Sequence, residues 1–97
     1  MKIVLKFTYD ADIIDIPNFF LPNLKKSSIQ FNKWLYNKDN DHGYWIKKNG
    51  KKVAVSFRGD AYVDFLNNKM LNSCNEKAKI IETEITEFDV TLPILYF

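Results

Sequence analysis

The chain of 97 residues is 46% hydrophobic, 15% aromatic and 27% charged, with a net charge of +2 and one cysteine. This length and composition predict a single domain over residues 1–97 and exclude a disordered tail, while the net charge is too small to indicate nucleic-acid binding by itself. The single cysteine, Cys74, excludes an intramolecular disulfide and a multi-cysteine zinc site.

The N-terminal residues 2–9 alternate between apolar and polar side chains, with Ile3, Leu5 and Phe7 on one side. This pattern predicts a first strand. Because lysines lie within it, the segment does not resemble a signal peptide, and no apolar run is long enough to span a bilayer. We therefore expect a cytoplasmic protein without a membrane partner. Residues 10–24 fit neither the strand period nor the helix period, so an irregular apolar segment is expected there.

Three further segments have a clear apolar period. Residues 29–38 and 61–72 repeat apolar side chains at helical spacing and predict two amphipathic helices, with Asp60 as the N-cap of the second. Residues 78–86 alternate isoleucines with glutamates and threonines and predict a strand. The C-terminal residues 90–97 contain Pro93, which limits them to an edge strand or a bent tail.

The pair Asn49-Gly50 lies between two alternating runs and predicts a β-hairpin over residues 44–57, because a type I′ turn needs positive φ at both central positions. A two-residue loop then predicts that Ile46 faces Val53. One face of the hairpin would be apolar and meet the helices (Tyr44, Ile46, Val53, Val55 and Phe57). The other face would carry a tryptophan among lysines (Trp45, Lys47 and Lys52).

The predicted order of elements is β-α-β-β-α-β, which is the ferredoxin-like order. We therefore predict an α+β fold, in which an antiparallel sheet carries both helices on one face and leaves the other face open. Trp45 would then lie on the open face as an anchor for a partner. The alternative is that the C-terminal residues 94–97 fold over Trp45 and make it part of the core.

Charge is distributed unevenly along the chain. Residues 23–60 contain nine basic and three acidic residues, whereas residues 61–97 contain three basic and six acidic residues. The C-terminal acidic set comprises Glu82, Glu84, Glu87 and Asp89, and alternation would place the first two on one side of a strand. Joined by Asp39 and Asp41, such a stripe would imitate the phosphate backbone that a basic enzyme binds. The alternative is a solvated strand face.

The polar run Asp39-Asn40-Asp41-His42-Gly43 is the one candidate for a metal or catalytic site. A calcium loop needs glycine at its sixth position and glutamate at its twelfth, and this run has neither. No nucleophile lies near His42 in the sequence, and no glycine-rich phosphate loop is present. We therefore expect no metal, no cofactor and no catalytic residue.

The hairpin Tyr44–Phe57 offers an alternative function as a small RNA-binding domain. Its lysines would meet phosphates, and Tyr44 and Trp45 would stack on bases. The RNA-recognition motif has the same strand order, but its aromatic stacking positions are missing from the second strand of this hairpin, Lys52-Val53-Ala54-Val55-Ser56-Phe57. The similarity to that motif is therefore one of topology.

In size, composition and charge segregation the whole chain is similar to bacterial immunity proteins, including those of contact-dependent growth inhibition, although no motif carries the resemblance. The resemblance implies an antitoxin that binds one nuclease toxin domain in the cytoplasm and occludes its active site. The contact residues implied are the C-terminal acidic set with Asp39 and Asp41, and Trp45 as the buried anchor.

Overall fold

The computed structural model describes residues 1–97, which form six strands and two α-helices. The strands are β1 (Lys2–Lys6), β2 (Ala11–Asp15), β3 (Trp45–Lys48), β4 (Lys51–Val55), β5 (Lys79–Ile85) and β6 (Ile94–Tyr96), and the helices are α1 (Leu24–Tyr36) and α2 (Gly59–Phe65). A 3-10 helix, Asn18–Asn23, precedes α1, and a π-helical turn, Leu66–Met70, follows α2. The α+β class is therefore confirmed. No helix has the length and apolar character needed to cross a membrane.

The strands form two separate sheets. A four-stranded sheet has the order β5-β2-β1-β6, while β3 and β4 pair only with each other. Strand β1 is antiparallel to β2 and parallel to β6, and β2 is antiparallel to β5. The ferredoxin-like order is thus not confirmed, because the hairpin does not join the main sheet and an additional strand, β2, occupies its centre.

The first predicted strand is confirmed over residues 2–6, whereas the expectation of an irregular segment from residue 10 is wrong, because β2 lies there. The predicted first strand stops at Lys6, and the N–H of Phe7 donates to the carbonyl oxygen of Asp10 at 2.8 Å, which closes a turn into β2. Four of the five β2 residues are buried. A strand buried on both faces has no alternation for a pattern search to find.

The main core lies between the helices and one face of the four-stranded sheet. Ile3, Leu5 and Ile14 of that face are packed in one cluster with residues of α1 and α2. At its centre, the ring of Phe31 contacts other rings at centroid distances from 5.4 to 6.1 Å (Trp34, Phe57, Tyr62, Phe65 and Phe97). The placement of both helices on one face is therefore as expected.

The reverse face of the sheet is covered instead of open. Val4, Ala11 and Ile13 form a second buried cluster, against which Phe88 and Leu92 of the segment after β5 are packed. Further along, β6 adds an edge strand beside β1, as Pro93 led us to expect. The C-terminal segment therefore wraps from one edge of the sheet to the other across its reverse face.

Both helices begin before their predicted starts. Helix α1 begins at Leu24, and its first turns include Ser27, a buried polar residue whose Oγ donates to the Leu24 carbonyl oxygen at 2.7 Å. Helix α2 begins at Gly59, so Asp60 lies within the first turn and is not the N-cap. The carboxylate that satisfies the Gly59 N–H belongs to Asp12, a residue on another element.

The turn of the hairpin is confirmed, and the register set by a two-residue loop holds for Lys48 with Lys51 and for Lys47 with Lys52, but not beyond them. Asn49 has φ 54° and Gly50 has φ 77°, as a type I′ turn requires. A bulge then shifts the pairing, so that Ile46 faces Ala54 and no longer faces Val53. Ile46 and Val53 are 47% and 56% exposed. The prediction that these side chains meet the helices is therefore wrong.

Candidate functional site

The strongest candidate surface is residues 80–90, which comprise strand β5 after Lys79 and the five residues that follow it, and we call this surface the acidic edge. Residues 80–97 contain four acidic residues and no lysine or arginine, and all four acidic side chains are exposed (Glu82, Glu84, Glu87 and Asp89). Ile81 and Val90 in the same segment are 42% and 79% exposed. The acidic edge therefore combines negative charge with exposed apolar side chains.

Glu82 and Glu84 do not lie on a regular strand, as their predicted placement on one side of it requires. Strand β5 lies at the edge of the sheet and pairs only with β2, with irregularities on either side of the Ile13–Glu82 pair. Glu84 has φ 55°, which a non-glycine residue adopts only when its surroundings stabilise it. The regular alternation that would place the two glutamates on one side is broken between them.

A buried carboxylate stabilises this irregular backbone. Asp12 is fully buried, and its Oδ1 accepts hydrogen bonds from the Glu84 N–H at 3.0 Å and from Nη2 of Arg58 at 2.5 Å. Its Oδ2 accepts from the Gly59 N–H at 2.8 Å. One side chain thus joins β2 to the start of α2 and to β5. The sequence analysis missed it, although an aspartate inside the apolar strand Ala11–Asp15 was a signal.

Arg58 has a second acidic partner beside Asp12. Its Nη1 donates to Asp10 at 2.6 Å, and its guanidinium lies 4.5 Å from the centroid of the Phe7 ring. Burial acts to lower the pKa of Arg58, but the hydrogen bonds to Asp12 and Asp10 outweigh burial and raise it. Arg58 therefore stays charged and is engaged in ion pairs within the fold.

The other end of the acidic edge is a turn held by Asp89. Its Oδ1 accepts hydrogen bonds from the N–H of Thr91 at 2.9 Å and from the Thr91 hydroxyl at 2.6 Å. The side-chain hydrogen bond from Thr91, followed by the backbone one, lowers the pKa of Asp89. The turn therefore presents an ionised carboxylate at neutral pH.

The two loop aspartates lie beside the hairpin. Asp41 forms an ion pair with Nζ of Lys52 at 2.5 Å, and this hydrogen bond and charge lower the pKa of Asp41. The same ammonium donates to the carbonyl oxygens of Lys38 and Asn40. The charge of Asp41 is thus compensated within the chain, while the exposed Asp39 has no basic partner.

Trp45 is neither on an open sheet face nor beneath the C-terminal segment. Its indole N–H donates to the carbonyl oxygen of Asn40 at 2.7 Å, and its ring is stacked on His42 with an interplanar angle of 8°. Nζ of Lys52 lies 5.5 Å from the ring centroid. Trp45 is half-buried against the loop that follows α1, a third environment that the sequence did not suggest.

His42 has a structural position in this loop. Its Nε2 bonds to the carbonyl oxygen of Leu35 at 2.7 Å, which requires a proton on Nε2, and its Nδ1 accepts from the Tyr44 N–H at 3.2 Å. Both ring nitrogens are therefore used to hold the loop. Within the whole chain, no group of three or more histidine, cysteine, aspartate or glutamate side chains is arranged to hold a metal ion.

Comparison with known proteins supplies no relative for this chain. No protein-family model, no curated protein and no solved structure matches it. The geometry of the described surfaces is therefore the basis of the functional proposals that follow.

Proposed function

We propose that this protein is a stoichiometric inhibitor that binds a cognate bacterial nuclease toxin domain and occludes its active site. The observation that carries this proposal is the acidic edge, where four exposed carboxylates and three exposed aliphatic side chains (Ile80, Ile81 and Val90) occur without an intervening cation. A nuclease binds a phosphodiester backbone through basic side chains. A carboxylate-rich surface offers the same charge to that cleft without a bond to cleave.

The two kinds of side chain contribute to binding in different ways. Opposed charge accelerates association, since a basic cleft attracts an acidic surface before contact. Apolar side chains that become buried, here Ile81 and Val90, increase the residence time. The charged and apolar groups lie on the same segment, so one contact would use both.

Hydrogen bonds within the chain hold the backbone of the acidic edge at two points. Asp12 fixes the backbone at Glu84, and Asp89 accepts two hydrogen bonds from Thr91. An interface ordered in the free protein loses less conformational entropy on binding. This preorganisation supports a binding role for the segment.

Trp45, Asp39 and Asp41 form a second predicted contact region at the base of the hairpin. The ring and N–H of Trp45 are engaged with His42 and Asn40, and Asp41 is paired with a lysine. We therefore expect these residues to contribute less to the complex than the acidic edge does.

The test is complex formation with a nuclease domain, sought first in the reading frame next to this gene. Glu82→Lys reverses one charge on the acidic edge, and Glu76→Lys makes the same change at an exposed position before β5. We expect Glu82→Lys to slow association at low salt by about tenfold, because charge steering accelerates association by that order or more. Glu76→Lys should leave the rate near wild type. Equal rates for the two variants would remove the acidic edge from the proposal, and full nuclease activity at equimolar inhibitor would end it.

The alternative function is RNA binding through the hairpin Tyr44–Phe57. Three lysines at its tip are exposed and have no acidic partner (Lys47, Lys48 and Lys51). Against this, Trp45 is already stacked on His42, so a base would have to displace a protein contact. Tight binding of single-stranded RNA that weakens steeply with salt, and is lost in Lys48→Gln/Lys51→Gln, would favour this alternative.

A further inference from the structure

The solvent-facing side of α1 is basic and contains an exposed aliphatic residue at its centre. Residues 16–38 include four lysines and no aspartate or glutamate. Ile29 is 50% exposed, and three of these lysines are its neighbours on the helix surface, at positions i−4, i−3 and i+4 (Lys25, Lys26 and Lys33). A single exposed isoleucine is common on protein surfaces. Here, however, the isoleucine and its three lysine neighbours form one patch that is both apolar and positively charged.

Two further exposed apolar side chains lie near Ile29, one on α1 and one in the 3-10 helix before it. Tyr36, two turns after Ile29, is 59% exposed, and Leu21, before the start of α1, is 39% exposed. A shallow depression on this side is lined by Pro22, Lys25, Lys26, Ile29, Gln30 and Lys33. Ile29 and Tyr36 are roughly 10 Å apart along the axis. We call Lys25, Lys26, Ile29, Lys33 and Tyr36 the basic α1 face.

We propose that the basic α1 face docks on the surface of a membrane that contains anionic lipids, with α1 parallel to the bilayer plane. Lysine side chains extend toward lipid headgroups while their aliphatic stems remain at the apolar boundary. Ile29 and Tyr36 then enter the interfacial region, where an apolar side chain and an aromatic ring with a hydroxyl are both favourable. Our expectation of no membrane partner rested on the lack of an apolar run long enough to span a bilayer. Docking on the bilayer surface needs no such run.

The chemistry of this face favours a lipid surface over RNA. Both have phosphates for the lysines, but a phosphate backbone offers no apolar site for an aliphatic side chain at the centre of the patch. Bases stack on aromatic rings or guanidinium groups, and Ile29 at the centre of the face offers neither. The one ring of the face, Tyr36, lies roughly 10 Å further along the helix axis. A bilayer interface accepts both the cations and the apolar side chains of the basic α1 face.

Docking through α1 leaves the acidic edge free. Helix α1 covers one face of the four-stranded sheet, whereas Phe88 of the acidic edge packs on the reverse face. An anionic membrane attracts the first side and repels the second. The proposed orientation therefore places a protein-binding surface away from the bilayer, although membrane docking does not depend on the inhibitor function.

The test is sedimentation of the whole protein with two kinds of vesicle, phosphatidylcholine alone and phosphatidylcholine with phosphatidylserine. We expect binding to the anionic vesicles only, decreasing with salt. Lys25→Gln/Lys26→Gln should lower the partition coefficient about thirtyfold, since each lysine near an anionic surface contributes about a factor of five. Ile29→Ser should lower it about fivefold through the loss of apolar insertion.

The matched control is Lys48→Gln/Lys51→Gln, which removes two exposed charges from the hairpin tip. It should bind vesicles nearly as well as the wild-type protein. An equal loss in the control, or unchanged binding of Ile29→Ser, would show non-specific attraction and overturn the proposal. So would displacement from vesicles by single-stranded RNA at low concentration, which would identify RNA as the preferred ligand. All substituted residues are exposed, and unchanged thermal unfolding would verify that each variant is folded.

Discussion

Replacing Asp12 is the most direct test of how this fold is held together. Its carboxylate is fully buried and accepts hydrogen bonds from Gly59, Glu84 and Arg58, residues that lie 46 to 72 positions away in the sequence. Asp12→Ala removes all three bonds at once. The Gly59 N–H would be left buried without an acceptor, and Arg58 would keep only Asp10.

The expected cost follows from these lost interactions. A buried donor left without a partner costs about 1–3 kcal/mol. Breaking a fully buried ion pair costs about 3–5 kcal/mol, which is an upper limit for the pair with Arg58 because that side chain is 35% exposed and keeps Asp10. We therefore expect Asp12→Ala to lower the free energy of unfolding by about 3–5 kcal/mol. A domain of this size has about 5–15 kcal/mol in all, so the variant would lose a large share of its stability.

Urea unfolding followed by tryptophan fluorescence measures this difference. Asp15→Ala is the matched control, because Asp15 lies on the same strand but its side chain is 48% exposed and pairs only with the N-terminal ammonium. The control should cost less than about 1 kcal/mol, as exposed ion pairs do. Asp12→Asn, which keeps one carbonyl oxygen as acceptor, should lie between the two. A loss for Asp12→Ala no larger than that of the control would refute this account of the network.

Three further results are expected. Gly59→Ala should destabilise by about 1–3 kcal/mol in the same assay, despite the better helix propensity of alanine, because its Cβ would lie 2.8 Å from Oδ2 of Asp12. Gly50→Ala should cost about 1–2 kcal/mol of hairpin stability at φ 77°, so amide exchange should accelerate in β3 and β4 but not in the main sheet. Burial raises the pKa of Tyr62 from 10.0 to about 12, so the unfolded chain ionises first and stability should fall from about pH 10 to about pH 12. Urea midpoints at alkaline pH should show this fall in the wild type and a smaller one in Tyr62→Phe.

The helices, the hairpin turn and the strand at residues 79–85 were within reach of the sequence because each depends on neighbouring residues. Asn49-Gly50 specifies a turn whose two positive φ values involve no other part of the chain. The apolar period around Phe31 similarly specifies the buried side of α1. The exposure of the acidic residues after Ile81 could also be predicted, because burying a charged side chain without a partner is costly.

Strand β2 and the environment of Trp45 were out of reach because each depends on distant partners. A strand buried on both faces resembles any short apolar run, and here Ile13 and Ile14 belong to different clusters on opposite faces of one sheet. The ring of Trp45 packs on His42 only because the loop after α1 returns to the hairpin. No local pattern contains that information.

The amino-acid sequence by itself therefore determined the hairpin turn, the helical periods, the α+β class and the separation of positive from negative charge along the chain. Tertiary structure alone decided that the hairpin stays outside the main sheet and that Glu84 adopts a left-handed backbone beside Asp12. The physical reason is the sequence separation of the interacting residues. Turns and helix periods are set by interactions between residues a few positions apart. A buried carboxylate needs donors that only the folded chain brings together.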